Sequence, residues 1–293
     1  MSRNPNIAAV GIVVNSKIER AVTSLRELIQ FLQEKNIVVF LEEGSFSALK
    51  SLARIPSHAI LEEASIETLC ADCDVDAIVT LGGDGTVLRA ARHSYDVPLL
   101  PINAGKRGFL AELESDTFAE DLAAIIDGSY FIEDYSRLQA ESSADSSLPS
   151  VLNEYLITPS EPLRATSFDL YLGGEEVACF EADGLIISTP IGSSGHALSS
   201  GGPLIHHDLQ VMQISWICPI SRSARPIVFP NSLAVSIEAT SPSSPQIKVI
   251  CDGQIFGEFS SPLELKVTSS SQSTRFIRTQ PFFHRKKTIK FLR

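Results

Sequence analysis

Residues 77–90 read Ala-Ile-Val-Thr-Leu-Gly-Gly-Asp-Gly-Thr-Val-Leu-Arg-Ala, a short apolar run broken by three glycines within four positions, with one acidic residue among them. The run has the length of a buried strand, the glycines make a tight turn, and Thr86–His93 begins a helix. The flanking sequence repeats this strand-then-helix rhythm. Upstream, Ile7–Val14 and Ile37–Leu41 are strand candidates separated by Ile18, Val22, Leu25, Leu28, Ile29 and Leu32 at helical spacing. Downstream, Val97–Ile102 is a further strand and Phe118–Ile126 a helix, capped by Ser115 or Asp116 and stopped by Gly128. Strands that alternate with helices imply an α/β N-terminal domain, a Rossmann-like parallel sheet whose ligands bind at the carboxyl ends of its strands.

The texture changes after Tyr130. Glu141–Ser150 is a Ser-rich polar loop, and Phe168–Leu172, Gly173-Gly174 and Glu176–Phe180 form a hairpin pattern. Leu233–Ala239, Ile247–Cys251 before an Asp252-Gly253 turn, and Leu263–Thr268 read as further strands, with Ser269–Ser273 a polar connector. The expected division is therefore 1–130 α/β, 131–270 a β-rich C-terminal domain, and 271–293 a basic, aromatic arm packing back on the body. From Arg275 onward there are seven Lys/Arg and no acidic residue, which leaves a charge of −18 on residues 1–274. An acidic chain with net charge −11 is not a general nucleic-acid binder, and no apolar run is long enough for a membrane helix. Ile7–Val14 lacks a small-x-small cleavage site after it, so it is a strand and not a signal peptide. Five scattered cysteines suit reduced thiols in a cytoplasm, and the Cys70-x-x-Cys73 pair lacks the second pair that a zinc site needs.

Glycines in the 82–85 turn let backbone N–H groups approach an anion, and the helix behind adds its positive end. A carboxylate beside phosphate is unfavourable unless it holds a metal or takes a proton from a hydroxyl nucleophile, so Asp84 is either a general base in phosphoryl transfer or the N-cap of its helix. Other motifs fail in particular ways. Leu88 stands where a dinucleotide clamp needs its third glycine. Gly105-Lys106-Arg107 lacks the hydroxyl of a P-loop, and His196 replaces the last glycine of a nucleophile elbow at Gly192-Ser193-Ser194-Gly195. Asp72-x-Asp74-x-Asp76 lacks the glycine of a calcium loop. The Gly/Ser-rich stretch Asp183–Pro203 suits a loop around ribose or phosphate, and Asn153-Glu154 sets two polar groups inside an apolar strand, where they need partners.

Taken together, Gly82-Gly83-Asp84-Gly85-Thr86, Asn103-x-Gly105-x-x-Gly108-Phe109-Leu110, Asn153-Glu154, Asp183-Gly184 through Gly201-Gly202-Pro203, Ser223-Ala224-Arg225-Pro226 and Cys251-Asp252-Gly253-Gln254 occur in the order and spacing of bacterial NAD kinases. The chain resembles that family over roughly residues 7–260. The resemblance implies transfer of a phosphoryl group from ATP or polyphosphate to the 2′-hydroxyl of the adenosine ribose of NAD, giving NADP. It also implies a divalent cation, Mg²⁺, on the donor phosphates, a cleft between domains that holds the dinucleotide, and a cytoplasmic homo-oligomer, dimer or tetramer.

Carried over by position, Asp84 is the proton acceptor, while Gly83, Gly85 and Arg89 meet the dinucleotide. Asn153 and Glu154 resemble the family's nicotinamide- or ribose-side pair, Arg164 a polar contact, and Asp183 the acidic reader of the nicotinamide side. Ser194, Gly195, His196, Ala197, Leu198 and Ser199 match the segment around adenine, and Gln254 a further contact near a subunit boundary. His206 and His207 fall in a stretch to which the resemblance gives no chemistry. The family loop usually reads Thr-Pro-Thr-Gly-Ser-Thr-Ala-Tyr; here Ile191, Ser194, Gly195 and His196 replace its third, sixth, seventh and eighth places. Lys106 and Arg107 are unusually basic for their loop and are candidates for donor phosphates. The rival readings are a lipid or sugar kinase sharing the glycine turn, and a non-catalytic NAD(P)-binding sensor.

Overall fold

The computed structural model describes residues 5–45, 61–105, 108–143, 148–161, 165–242 and 244–281. They divide into two compact units, residues 1–134 with 274–293, and residues 135–273. The sequence reading set its boundaries after 130 and 270, a few residues early in both cases.

In the first unit, β1 (Ala9–Val14), β2 (Val38–Glu42), β3 (Leu61–Ala64), β4 (Ala77–Gly82) and β5 (Leu99–Asn103) form a parallel sheet in the order 3-2-1-4-5. The short β6 (Leu113–Glu114) extends it beside β5. Helices α1 (Glu19–Glu34), α2 (Ile66–Ala71), α3 (Asp84–Ala91) and α4 (Phe118–Ile126) lie between these strands in the chain. Helix α1 buries Ala21, Leu25, Leu28, Ile29 and Leu32, one stripe at helical spacing, into a core shared with Ile12, Val79, Leu81 and Ile102. The residue preceding α4 is Thr117, which makes no side-chain cap bond, so neither Ser115 nor Asp116 caps that helix; the Ser115 hydroxyl donates to Asp116 instead. Gly128, with φ of 82°, ends the helix as expected.

The second unit holds a six-stranded antiparallel sheet ordered β13-β12-β11-β8-β15-β16: β8 is Glu154–Pro159, β11 Gly184–Ser188, β12 Val211–Ile217, β13 Ile227–Pro230, β15 Gln246–Cys251 and β16 Gln254–Ser260. Beside it runs β10-β9-β14-β17, with β9 Thr166–Leu172, β10 Glu175–Ala182, β14 Val235–Thr240 and β17 Leu263–Arg278. Gly173 and Gly174, both at positive φ, close the β9–β10 hairpin, a backbone that side chains resist. Phe168, Leu170 and Ile237 from one sheet and Leu185, Ile187 and Met212 from the other share a single core cluster.

Two sequence expectations are corrected here. Strand β7 (Phe131–Ser142) begins at the supposed domain boundary and runs into the supposed polar loop. Its Arg137, fully buried, donates to the Ser150 hydroxyl at 3.0 Å and carbonyl at 2.6 Å, which fastens residues 148–150 to the unit. Ser269–Ser273 is likewise no connector but the middle of β17, sixteen residues long. The end of β17 belongs to the first unit, where Phe276 pairs with Leu99 and Ile277 joins the core. Phe282, Phe283, Ile289 and Phe291 of the expected arm lie outside the described residues.

Candidate functional site

Pairing in the parallel sheet sets Gly82 opposite Asn103, so the loops leaving β4 and β5 begin side by side at the carboxyl edge. Gly82 is required where it stands: a Cβ there would lie 3.0 Å from Thr86 Cβ and 3.2 Å from Asn15 Cβ. Asp84 follows as the first residue of α3. Its carboxylate makes no cap bond to its own helix, whose N-cap is Gly83. It reaches instead into the second loop, where the Phe109 N–H donates to Oδ2 at 2.9 Å and the Leu110 N–H to Oδ1 at 3.1 Å. The N-cap alternative is thus displaced, and the first two sequence blocks meet at one carboxylate. Each carboxylate oxygen keeps a further lone pair for a substrate proton. At Gly85 a Cβ would meet nothing within 4 Å, so the first turn of the helix presents open backbone.

The loop that grips Asp84 is itself held on two sides. Asn103 Nδ2 donates to the Gly105 carbonyl at 3.1 Å and to Glu114 at 2.9 Å, and its Oδ1 accepts from the Gly105 N–H at 3.2 Å. Arg278, fully buried, donates to the Leu110 carbonyl at 2.9 Å and pairs with Glu112 at 3.3 Å, while the Thr279 N–H donates to Glu112 at 2.7 Å. Arg89 is committed nearby: its guanidinium donates to Glu42 Oε1 at 2.9 Å and to the Val14 carbonyl at 3.1 Å. Burial pushes the Glu42 carboxyl up, but Arg89, together with the hydroxyl and N–H of Ser45, outweighs it and holds the carboxyl below its ordinary range. Lys106 and Arg107 lie outside the described residues.

In the second unit the antiparallel register sets Ser188 opposite Glu154, so the loop leaving β11 starts beside the Asn153-Glu154 pair. Thr189 ties them, its hydroxyl donating to the Leu152 carbonyl at 2.6 Å and its N–H to the Asn153 carbonyl at 2.9 Å. The chain then forms a short 3₁₀ turn, Ile191–Ser194, and helix α5, His196–Ser199. His196 Nδ1 lies 3.1 Å from Glu154 Oε1. Asp252, 4% exposed, accepts the N–H groups of Leu152 at 2.9 Å, Asn153 at 2.7 Å and Glu154 at 3.1 Å, and fixes the polar pair from behind. Burial drives the Asp252 carboxyl above its ordinary value despite those three bonds. Asn153 Oδ1 and Glu154 Oε2 are buried atoms with no hydrogen-bond partner among the described residues, and a Cβ at Gly195 would lie 3.6 Å from the latter. Buried acceptors without donors point to a ligand that brings donors.

Sequence reasoning thus located the pair and the loop but missed their fasteners. Thr189 and Asp252 read only as part of a polar loop and as a turn, and the sole hint was an Asp-Gly hairpin placed after a strand. Gln254, exposed, opens β16 directly after the Asp252-Gly253 turn. Asp183, exposed, immediately precedes β11, roughly 17 Å along the chain from the residue facing Glu154; the geometry does not join it to the pair. Arg164 lies outside the described residues.

His206, His207 and Asp208 place three ligand-type atoms within 4.8 Å of one another. The imidazoles stack at 4.6 Å with 23° between their planes, and His206 Nδ1 accepts the Asp208 N–H at 3.3 Å. Near-parallel rings do not converge their lone pairs on one ion, which makes this a packing arrangement. None of the five cysteines, all among the described residues, is in a disulfide, and burial pushes the Cys70 thiol up to about 11, far from a reactive thiolate. No described helix is long and apolar enough to cross a membrane.

Residues 10–130 match the model of the ATP-NAD kinase N-terminal domain, and residues 152–279 that of the ATP-NAD kinase C-terminal domain. The chain is 34% identical over 282 residues to the NAD kinase of Thermococcus sibiricus, covering 96% of this chain and 97% of that one. It is 34% identical over 252 residues to the NAD kinase of Azotobacter vinelandii, covering 84% and 82%. Among solved structures it resembles yeast NADH kinase complexed with NADH, with a TM-score of 0.87 and 21% identity over 99% of this chain and 88% of that one. It also resembles an NAD kinase from Archaeoglobus fulgidus in complex with ATP, with a TM-score of 0.74 and 24% identity over 95% and 96%. At these identities the two structures speak to the fold.

Proposed function

The chain belongs to the NAD kinase family and converts NAD to NADP, and we propose how its own residues divide that work. Asn153 and Glu154, with the loop Ser194–Ser199, hold the dinucleotide through its hydroxyl and amide donors. Asp84 takes the proton of the adenosine ribose 2′-hydroxyl as that oxygen bonds to the γ-phosphorus of the donor and the bond to the leaving diphosphate breaks. The observation that carries this assignment is the Asp84 carboxylate held by two backbone N–H groups at the carboxyl edge of the sheet, where the open amides of α3 favour phosphate. Phosphoryl transfer demands little covalent chemistry beyond orientation and charge neutralisation, and an oriented base contributes roughly 10²–10⁴-fold.

The donor is ATP carrying its Mg²⁺. Among the described residues no set of three His, Cys, Asp or Glu side chains gathers around Asp84, which fits a cation held chiefly by substrate phosphates and water. Its chemistry is to offset the charge of the donor phosphates. We place the enzyme in the cytoplasm as a homo-oligomer. Incubation with NAD, ATP and Mg²⁺, with NADP counted by a strictly NADP-specific dehydrogenase, tests the reading; a parallel run with polyphosphate tests the donor. NADP formed with ATP supports it, and NADP formed only with polyphosphate, or not at all, overturns the donor or the whole assignment.

A further inference from the structure

Glu154 is 4% exposed, and an isolated buried carboxylate is costly unless something offsets its charge. Behind it stands a second buried carboxylate, Asp252, which accepts the N–H groups of residues 152–154. The ring that reaches Glu154 is His196, 3.1 Å away at Oε1, with its side chain 57% exposed to solvent and so free to exchange protons. Helix α5 packs on β11, β12 and the 191–194 turn, and none of those segments carries a titratable side chain. Among the described residues the charged group that bears on His196 is Glu154, and Asp252 in turn bears on Glu154 from behind. The other oxygen of Glu154 is buried with no donor among the described residues, beside the backbone of Gly195.

We propose that His196 is a positioning residue: protonated, it fixes Oε1 and balances the charge of Glu154, which leaves Oε2 aimed at a hydroxyl of the dinucleotide, so that NAD is held more tightly when His196 is charged than when it is neutral. The inference rests on the reading that Glu154 faces the dinucleotide. The hydrogen bond that His196 donates to Glu154 outweighs the opposing effect of burial and, with the charge of Glu154, raises the His196 pKa above its ordinary value, about 6.5. The cation is accordingly retained up to a pH above that value and lost as pH rises further. Neutral His196 either keeps a weaker N–H bond or turns a lone pair toward the carboxylate, and both remove positive charge from beside an anionic ligand.

The test is NAD binding in the absence of ATP, by calorimetry from pH 6 to pH 9, which leaves the donor's own titration and the chemical step outside the readout. The wild-type Kd is expected to rise roughly tenfold over that range, the ordinary size for loss of one charge-assisted hydrogen bond. His196→Asn retains an N–H donor near the place of Nδ1 but does not titrate, so its Kd stays flat with pH. His196→Ala is flat and weak throughout. A wild-type Kd that changes less than about twofold, or an Asn variant with the same pH slope as wild type, overturns the proposal. Failure to bind NAD at any pH overturns the underlying reading of Glu154 instead. The ring is exposed, and equal melting temperatures check that the variants fold as wild type does.

Discussion

Gly192 offers a measurement whose size follows from the coordinates. A Cβ at this position would lie 2.6 Å from the carbonyl carbon of Asn153 and 2.7 Å from its Cα, and closer still to its carbonyl oxygen. These are backbone atoms that have little room to yield, since the Asn153 N–H is bound by Asp252 and its carbonyl accepts the Thr189 N–H. Ordinary carbon contacts lie at about 3.5–4.0 Å, so in Gly192→Ala the 191–194 turn has to retreat by about 1 Å. Overpacking of this kind costs roughly 1–3 kcal/mol, and at ~2–4 °C per kcal/mol for a chain of this size the melting temperature should fall by about 2–12 °C. The same retreat draws Gly195 and His196 away from Glu154, and a misplacement of about 1 Å is worth up to ~10²-fold in rate. Calorimetric melting and kcat/KM for NAD are the assays. A Gly192→Ala protein that melts within about 1 °C of wild type with unchanged KM for NAD would refute the claim that turn and strand are in obligatory contact.

Two further substitutions follow from neighbouring geometry. Gly85→Val should leave the melting temperature nearly unchanged, because its Cβ meets nothing in the protein and Val is no worse a helix former than Gly, yet turnover should collapse as the branched side chain fills the space before the α3 amides; normal turnover would remove the ligand from that edge. Glu42→Gln addresses linkage. The folded-state pKa of Glu42 lies below its unfolded value, so its contribution is present above the unfolded value and disappears as pH falls through the folded one. Wild type should exceed the variant by roughly 1.5–3 kcal/mol at pH 7, with the gap closing below about pH 4.5. A gap that is the same at pH 7 and pH 4 contradicts the ion pair with Arg89.

The β4–turn–α3 stretch was legible because a run of apolar residues followed by three glycines leaves the chain few alternatives, and α1 because its apolar stripe repeats at one period. The parallel sheet followed from that rhythm, whereas its order 3-2-1-4-5 is seen only in the structure. The middle of β17, Thr268 to Thr274, was not legible, since it holds only Ser, Thr and one Gln on a half-exposed strand with no hydrophobic signal. The bounds of α4 were legible, but its cap was misread, because Ser115 and Asp116 both satisfy capping statistics while Thr117 is the residue that precedes the helix. Asp84, Glu154 and Asn153 were found as site candidates by residue type and motif. Their contacts were not: Asp84 with Phe109 and Leu110, Asn153 with Asp252, and His196 with Glu154 are pairings across 25, 99 and 42 residues. No periodicity encodes a partner at that separation; the register of two strands does.

The central claim is that Asp84 takes the proton of the acceptor hydroxyl. Asp84→Asn keeps the size of the side chain and one acceptor for the loop N–H groups, so the variant should fold, a point that its melting temperature checks. With NAD, ATP and Mg²⁺ supplied to both proteins, NADP counted enzymatically and NAD binding measured alongside, the account expects wild type to form NADP and the variant to lose about 10²–10⁴-fold in turnover while binding NAD within a fewfold of wild type. Turnover by the variant within tenfold of wild type would contradict it.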